Sequence, residues 1–157
     1  MTQTKVIGES VKQTNRTFVK SYVNDYANAI TENYRRYHLN TLNGNLHGNY
    51  PEYAREQLDA IENGTANLMK FKVYTGKRYY KIVQQEFETW EKSKYYGQYR
   101  DGSVHCFVDK ETGDVYKAAS WSAPAKHIRF SFQNVDHLKF LLNPDNVGWA
   151  GGYLYMR

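Results

Sequence analysis

The strongest constraint on this chain is a change of hydrophobic period at Gly64. Before it, Phe18, Tyr22, Tyr26, Ile30, Tyr34 and Tyr37 recur at three- and four-residue steps, and Val19, Val23 and Ala27 widen the same stripe. That spacing lines up apolar side chains on one face of a helix from about Val11 to Leu42. Residues 1–10 read as an ill-ordered lead-in. The stretch 40–49, NTLNGNLHGN, is rich in Asn and Gly and reads as a loop. Pro51 suits the first turn of a second helix with Tyr53, Ala54, Leu58 and Ile61 on its apolar face, and Asn63-Gly64 is its stop. Residues 11–64 are therefore expected to form an antiparallel helical hairpin.

After Gly64 the pattern shortens to that of strands. Leu68 to Tyr74 reads as one strand, Thr75-Gly76 as a turn, and Tyr79 to Phe87 as the return. Residues 88–102 read as a polar, aromatic loop with strand-like pieces. Val104, Cys106 and Val108 then alternate with His105, Phe107 and Asp109, as a half-buried strand requires. Residues 110–113 form a turn, with Asp109 and Gly113 serving it, and Asp114 to Ser120 is the returning strand. Asn134 caps a short helix over 134–143, Pro144 ends it, and Tyr153 to Met156 is expected to be a last strand. Helices followed by strands predict an α+β fold. The expectation is one domain over 1–157, its helical hairpin packed on a mostly antiparallel sheet of about five strands in 65–157. The short helix precedes the last strand.

Composition narrows the chemistry. The chain has 157 residues, 41% of them apolar, enough for a sizeable core. Fifteen are Tyr, an amphipathic residue that buries its ring and keeps its hydroxyl near water. Cys106 is the only cysteine, so an intramolecular disulfide and a multi-Cys zinc site are excluded. The start of the chain, MTQTKVIGES, lacks the apolar stretch of a signal peptide, and no apolar run reaches the roughly 18 residues of a membrane helix. These features predict a soluble protein of a reducing cytoplasm with no membrane partner.

The net charge of +5 is unevenly placed. Residues 1–64 and 101–157 each balance their acidic and basic groups. The surplus lies in 65–100, where Lys70, Lys72, Lys77, Arg78, Lys81, Lys92, Lys94 and Arg100 face only Glu86, Glu88 and Glu91. A segregated basic stretch is a candidate anion-facing surface, with Lys70, Lys72, Lys77, Arg78 and Lys81 at its heart. The structural alternative is a hairpin kept soluble by lysine, its edges protected from pairing.

Catalytic signatures are missing. His38, His47, His105, His127 and His137 show no zincin spacing, so no metal ligands are assigned. There is no GxSxG, no GxxxxGK[ST] and no GxGxxG, and no cofactor is assigned. Asp109, Glu111 and Asp114 sit at a hairpin turn, where carboxylates serve the backbone. What remains is the segment after the second hairpin. Lys117, Lys126 and Arg129 can hold an anion, His127 and Ser122 can donate hydrogen bonds, and Trp121 offers a flat face for stacking. The structural alternative is that Trp121 anchors the loop while Lys126 and Arg129 are simply solvated. Lys117, Trp121, Lys126, His127 and Arg129 form the candidate ligand site.

The segment HCFVDKETGDVYKAASWSAPAKHIRF and the closing WAGGYLYMR resemble a group of small proteins encoded by tailed bacteriophages. The shared pattern is FVDKxTGDVYKxASWxAPAKH with a C-terminal YLY strand. It falls here on Asp109, Gly113, Tyr116, Lys117, Trp121, Pro124, Lys126 and His127. The resemblance covers about the last third of the chain. It implies a phage origin, the cytoplasm of an infected host cell and a shared fold, but no activity. The leading expectation is a non-enzymatic accessory protein that binds an anionic ligand: a nucleotide, a nucleic acid or an acidic host protein, in host takeover or counter-defence. A virion or assembly component, oligomeric through the helical hairpin, is the alternative. Third is an enzyme acting on a phosphate-containing substrate through His127 or His105.

Overall fold

The computed structural model describes the backbone of residues 2–155 and the side chains of residues 15–155. The fold is α+β. Helix α1 (Thr2–Asn45) and helix α2 (Pro51–Glu62) precede strands β1 (Lys70–Thr75), β2 (Tyr79–Phe87), β3 (Tyr99–Asp109), β4 (Asp114–Lys117) and β5 (Phe130–Ser131). A short helix α3 (Val135–Leu141) and a 3-10 turn (Gly152–Leu154) follow. The strands form one antiparallel meander in the order β1-β2-β3-β4-β5.

Helix α1 exceeds its expected span at both ends. It begins at Thr2, where a lead-in was expected, and runs through Gly44 to Asn45, into the expected loop. A glycine inside a helix costs about 1 kcal/mol. The burial of Leu42, at 2% exposure, offsets this locally. Val19, Val23, Tyr26, Ala27 and Ile30 form the buried stripe of α1 and join Phe71, Ile82, Cys106, Val108 and Val115 of the sheet in one core. Pro51 opens α2 and Gly64, at φ 74°, follows its C-cap. Only Ala54 of α2 is fully buried. Tyr53, expected on its apolar face, is exposed.

In the sheet, β3 starts five residues before its expected position. Register shifts against β2 between Ile82 and Gln85 mark β-bulges that absorb the extra residues of β3. Asp109 organises the β3–β4 turn. Its carboxylate accepts from the backbone N–H of Glu111 at 2.8 Å and of Thr112 at 3.1 Å. Gly113 has φ 76°, and a Cβ there would lie 2.8 Å from Phe132 Cβ, so only glycine fits. Asn134 caps α3 through the N–H groups of Asp136 and His137. The expected strand over 153–156 is replaced by the 3-10 turn, which puts Leu154 into the core; Met156 lies outside the described residues. The fifth strand is instead Phe130–Ser131, pairing with β4. The chemistry of 153–155, three bulky residues after two glycines, looks strand-like locally. Gly151 at φ 82° breaks the path before a strand can start.

Candidate anion-binding face

One face of the sheet packs on α1; the other carries the charge. Strand alternation sends Lys70, Lys72 and Tyr74 to the side opposite Phe71 and Val73, which join the core. Directly opposed residues share a face, so the pairs Tyr74–Lys81, Lys81–Phe107 and Phe107–Tyr116 make one row across four strands. Tyr79 packs edge-on against Phe107 (5.8 Å between centroids) and Tyr116 (6.1 Å).

Cations sit over these rings. Lys70 Nζ lies 4.0 Å from the Tyr99 centroid, Lys72 Nζ 4.8 Å from Tyr74, Arg78 Cζ 5.2 Å from Tyr79, and Lys81 Nζ 4.3 Å from Trp121. Such contacts contribute about 0.5–1 kcal/mol each at exposed sites and hold the long side chains upright. Between the β1–β2 turn and the loop after β4 lies an open cleft of about 420 Å³, lined among others by Tyr74, Lys77, Arg78, Lys81, Asp101 and Trp121. Two carboxylates temper the charge. Asp101 accepts from the Tyr74 hydroxyl at 2.8 Å and from Gln85 Nε2 at 2.8 Å, and the bond raises the pKa of that hydroxyl. Asp109 is turned to the β3–β4 turn and also lies 3.6 Å from Arg78 Nε.

The structure divides the residues singled out in the sequence. Trp121 joins the basic set. Ala118 pairs with Pro124, and the Ala119 and Ser120 N–H groups donate to the Ala123 carbonyl, so the loop doubles back with Trp121 at its tip. The tip reaches over β2 to Lys81. Lys117 points elsewhere: it pairs with Cys106 in register, and its Nζ lies 4.7 Å from the Tyr155 ring. It lines a second cleft, of about 330 Å³, with Ser103, His105 and Gly151. Arg129 is a clamp rather than a ligand group. Its Nε donates to the Leu154 carbonyl at 2.6 Å and an Nη to the His127 carbonyl at 2.5 Å, which ties the loop to the C-terminal turn. Lys126 and His127 have exposed side chains beyond that clamp. Lys117, Trp121, Lys126, His127 and Arg129 are therefore not one pocket. Trp121 with Lys77, Arg78 and Lys81 is.

The ring partners Tyr74, Tyr79, Tyr99 and Phe107 were missed from sequence. Their signal was present: Lys70-Lys72-Tyr74 and Tyr79-Lys81 alternate at the strand period.

His105 is placed in a buried relay. Cys106 Sγ lies 3.6 Å from the Tyr26 hydroxyl, which lies 2.6 Å from the Tyr153 hydroxyl, which lies 2.7 Å from His105 Nε2. A bulge beside Cys106 turns His105 inward against Phe71. Burial pushes the His105 pKa down to about 4, against the smaller upward effect of a backbone hydrogen bond to Trp149. Burial also pushes the Cys106 thiol up to about 12 and raises Tyr26 and Tyr153. All four groups are held neutral at pH 7, and each polar atom has a partner, which makes this a packing network.

Among the described residues no group of three His, Cys, Asp or Glu side chains is placed to hold a metal ion, and no helix is long and apolar enough to cross a membrane. No curated protein and no solved structure matches the chain. One family model matches residues 6–156, nearly the whole length, and the chain belongs to that family, the family of unknown function DUF7717.

Proposed function

We propose that this chain is a non-catalytic binding protein that takes an anionic ligand on the outer face of its sheet. The observation that carries the reading is the pairing of cations with rings on that face: Lys70 with Tyr99, Lys72 with Tyr74, Arg78 with Tyr79 and Lys81 with Trp121. Rings hold the lysines in place, so little side-chain entropy is lost when an anion arrives. The resemblance to tailed-phage proteins supports an infected bacterial cell as the setting and a role in host takeover or counter-defence.

The test is thermal unfolding at low ionic strength against a panel of nucleotides, nucleic acid, inorganic polyphosphate and polyglutamate. At least one anion should raise Tm, and the rise should vanish when Lys70, Lys72, Lys77 and Lys81 are together replaced by Glu. A protein whose Tm ignores the entire panel does not bind anions through this face.

A further inference from the structure

We infer that the ligand of this face is a single-stranded nucleic acid, with one base held in the cleft beside Trp121 and the phosphates following the lysine rim. The inference rests on the anion-binding reading above and narrows it to one class. Three features of the face lead to it.

The first is the supply of rings. Tyr74, Tyr79 and Trp121 line the cleft, and Tyr116 packs edge-on against Tyr79; Phe107, at 3% exposure, is the buried floor beneath them. Trp121 is 48% exposed. A phosphate or carboxylate gains nothing from an exposed indole, but a base stacks on it irrespective of sequence. Duplex bases are already stacked on one another and cannot use such rings.

The second is Asp101. It lines the cleft and repels any anion entering there. A base is uncharged, so it can fill the cleft while its own phosphate stays outside. An acidic peptide would meet Asp101 with like charge.

The third is the placement of the cations. Lys70 and Lys72 lie along β1, while Lys77 and Arg78 lie in the turn that ends it. Lys77, Arg78 and Lys81 line the cleft, and Lys70 and Lys72 continue the charge along β1 outside it. A linear polyanion matches that arrangement; a single phosphate would engage only a part of it.

The experiment is fluorescence anisotropy with labelled single-stranded DNA and RNA oligonucleotides of one sequence, competed by the matching duplex, polyphosphate and polyglutamate. It is run on the full chain and on Trp121→Ala and Lys77→Gln variants, each first shown to keep the parent Tm. Five cations predict a slope of log Kobs against log salt of about −3.5 for a single strand. Trp121→Ala should weaken single-strand binding roughly 10-fold or more with an unchanged slope, as expected for one lost stacking partner. Lys77→Gln should instead flatten the slope by about 0.7. The DNA and RNA arms tell which backbone is preferred. Duplex or polyphosphate binding as tight as the single strand, with no effect of Trp121→Ala, overturns this inference and leaves the anion-binding reading standing. Polyglutamate as the tightest ligand identifies an acidic protein partner and overturns it as well. No binding to any of these polyanions overturns both.

Discussion

Acid should unfold this protein through His105. The imidazole ordinarily titrates near 6.5 and is held at about 4 by burial. The fold therefore favours the neutral ring, and the sign follows. The stabilisation is fully present above pH 6.5, declines as pH falls below that value, and is lost at about pH 4. A difference of that size corresponds to about 3 kcal/mol of folding free energy, a large share of a typical domain's stability. The mechanism is specific: a protonated ring would place its charge against Phe71, and both of its nitrogens would have to donate, Nε2 towards the Tyr153 hydroxyl. Urea unfolding at a series of pH values between 7.5 and about 4 measures the slope, and His105→Gln supplies the reference. Gln keeps a polar partner for Tyr153 but does not titrate. The parent should lose close to 1.4 kcal/mol per pH unit in the middle of this range, and the variant should be nearly flat there. Glu32, whose pKa is lowered by its hydrogen bond to Arg35, adds its own loss only below its ordinary value of 4.5. Parallel profiles for parent and variant, or an NMR titration of His105 centred near 6.5, would refute the reasoning.

The relay can be tested by a double-mutant cycle. Tyr26→Phe and Tyr153→Phe should each cost about 1–3 kcal/mol in urea unfolding, because each strands a buried partner, and the double variant should cost less than their sum; strict additivity would mean the two hydroxyls do not interact. Gly113→Ala should destabilise by more than about 1 kcal/mol, since φ 76° and the 2.8 Å approach to Phe132 both oppose a methyl group, whereas Gly44→Ala, with open space around it inside α1, should stabilise by about 0.5–1 kcal/mol. Arg129→Ala should lower stability by about 1.5–3 kcal/mol through loss of its bond to the Leu154 carbonyl, while Lys126→Ala stays within about 0.5 kcal/mol; equal effects would show that the clamp does not hold the loop. Cys106, fully buried with its thiol pushed up to about 12, should resist a thiol reagent in the native state and react once urea unfolds the chain.

Much of the fold could be read locally because its signals are local. Pro51 and Asn63-Gly64 bracket α2, Asn134 caps α3, and the β1–β2 hairpin alternates with period two. The misreadings share a cause. Asn and Gly at 40–45 favour a loop by propensity, yet the helix continues because Leu42 has a place in the core. Residues 153–155 have strand chemistry, yet Gly151 turns the chain and Leu154 is buried. Expecting Lys117, Lys126, His127 and Arg129 to work with Trp121 assumed that neighbours in sequence face one way. The loop doubles back between Ala118 and Pro124, so they do not.

By itself the sequence determined the class of fold, the capped helices, the turn glycine at Gly113 and the confinement of surplus positive charge to residues 65–100. Each is a property of a short window, set by side-chain period, backbone conformation or composition. Tertiary structure alone decided which rings the lysines stand over, that Trp121 leaves its own loop partners to join Lys77, Arg78 and Lys81, and that Arg129 is spent on the Leu154 carbonyl. It also decided that Tyr26, Tyr153, His105 and Cys106, drawn from α1, β3 and the C-terminal turn, form one buried network. These contacts join residues far apart in sequence. No local preference encodes them; the sheet register and the packing of α1 bring them together.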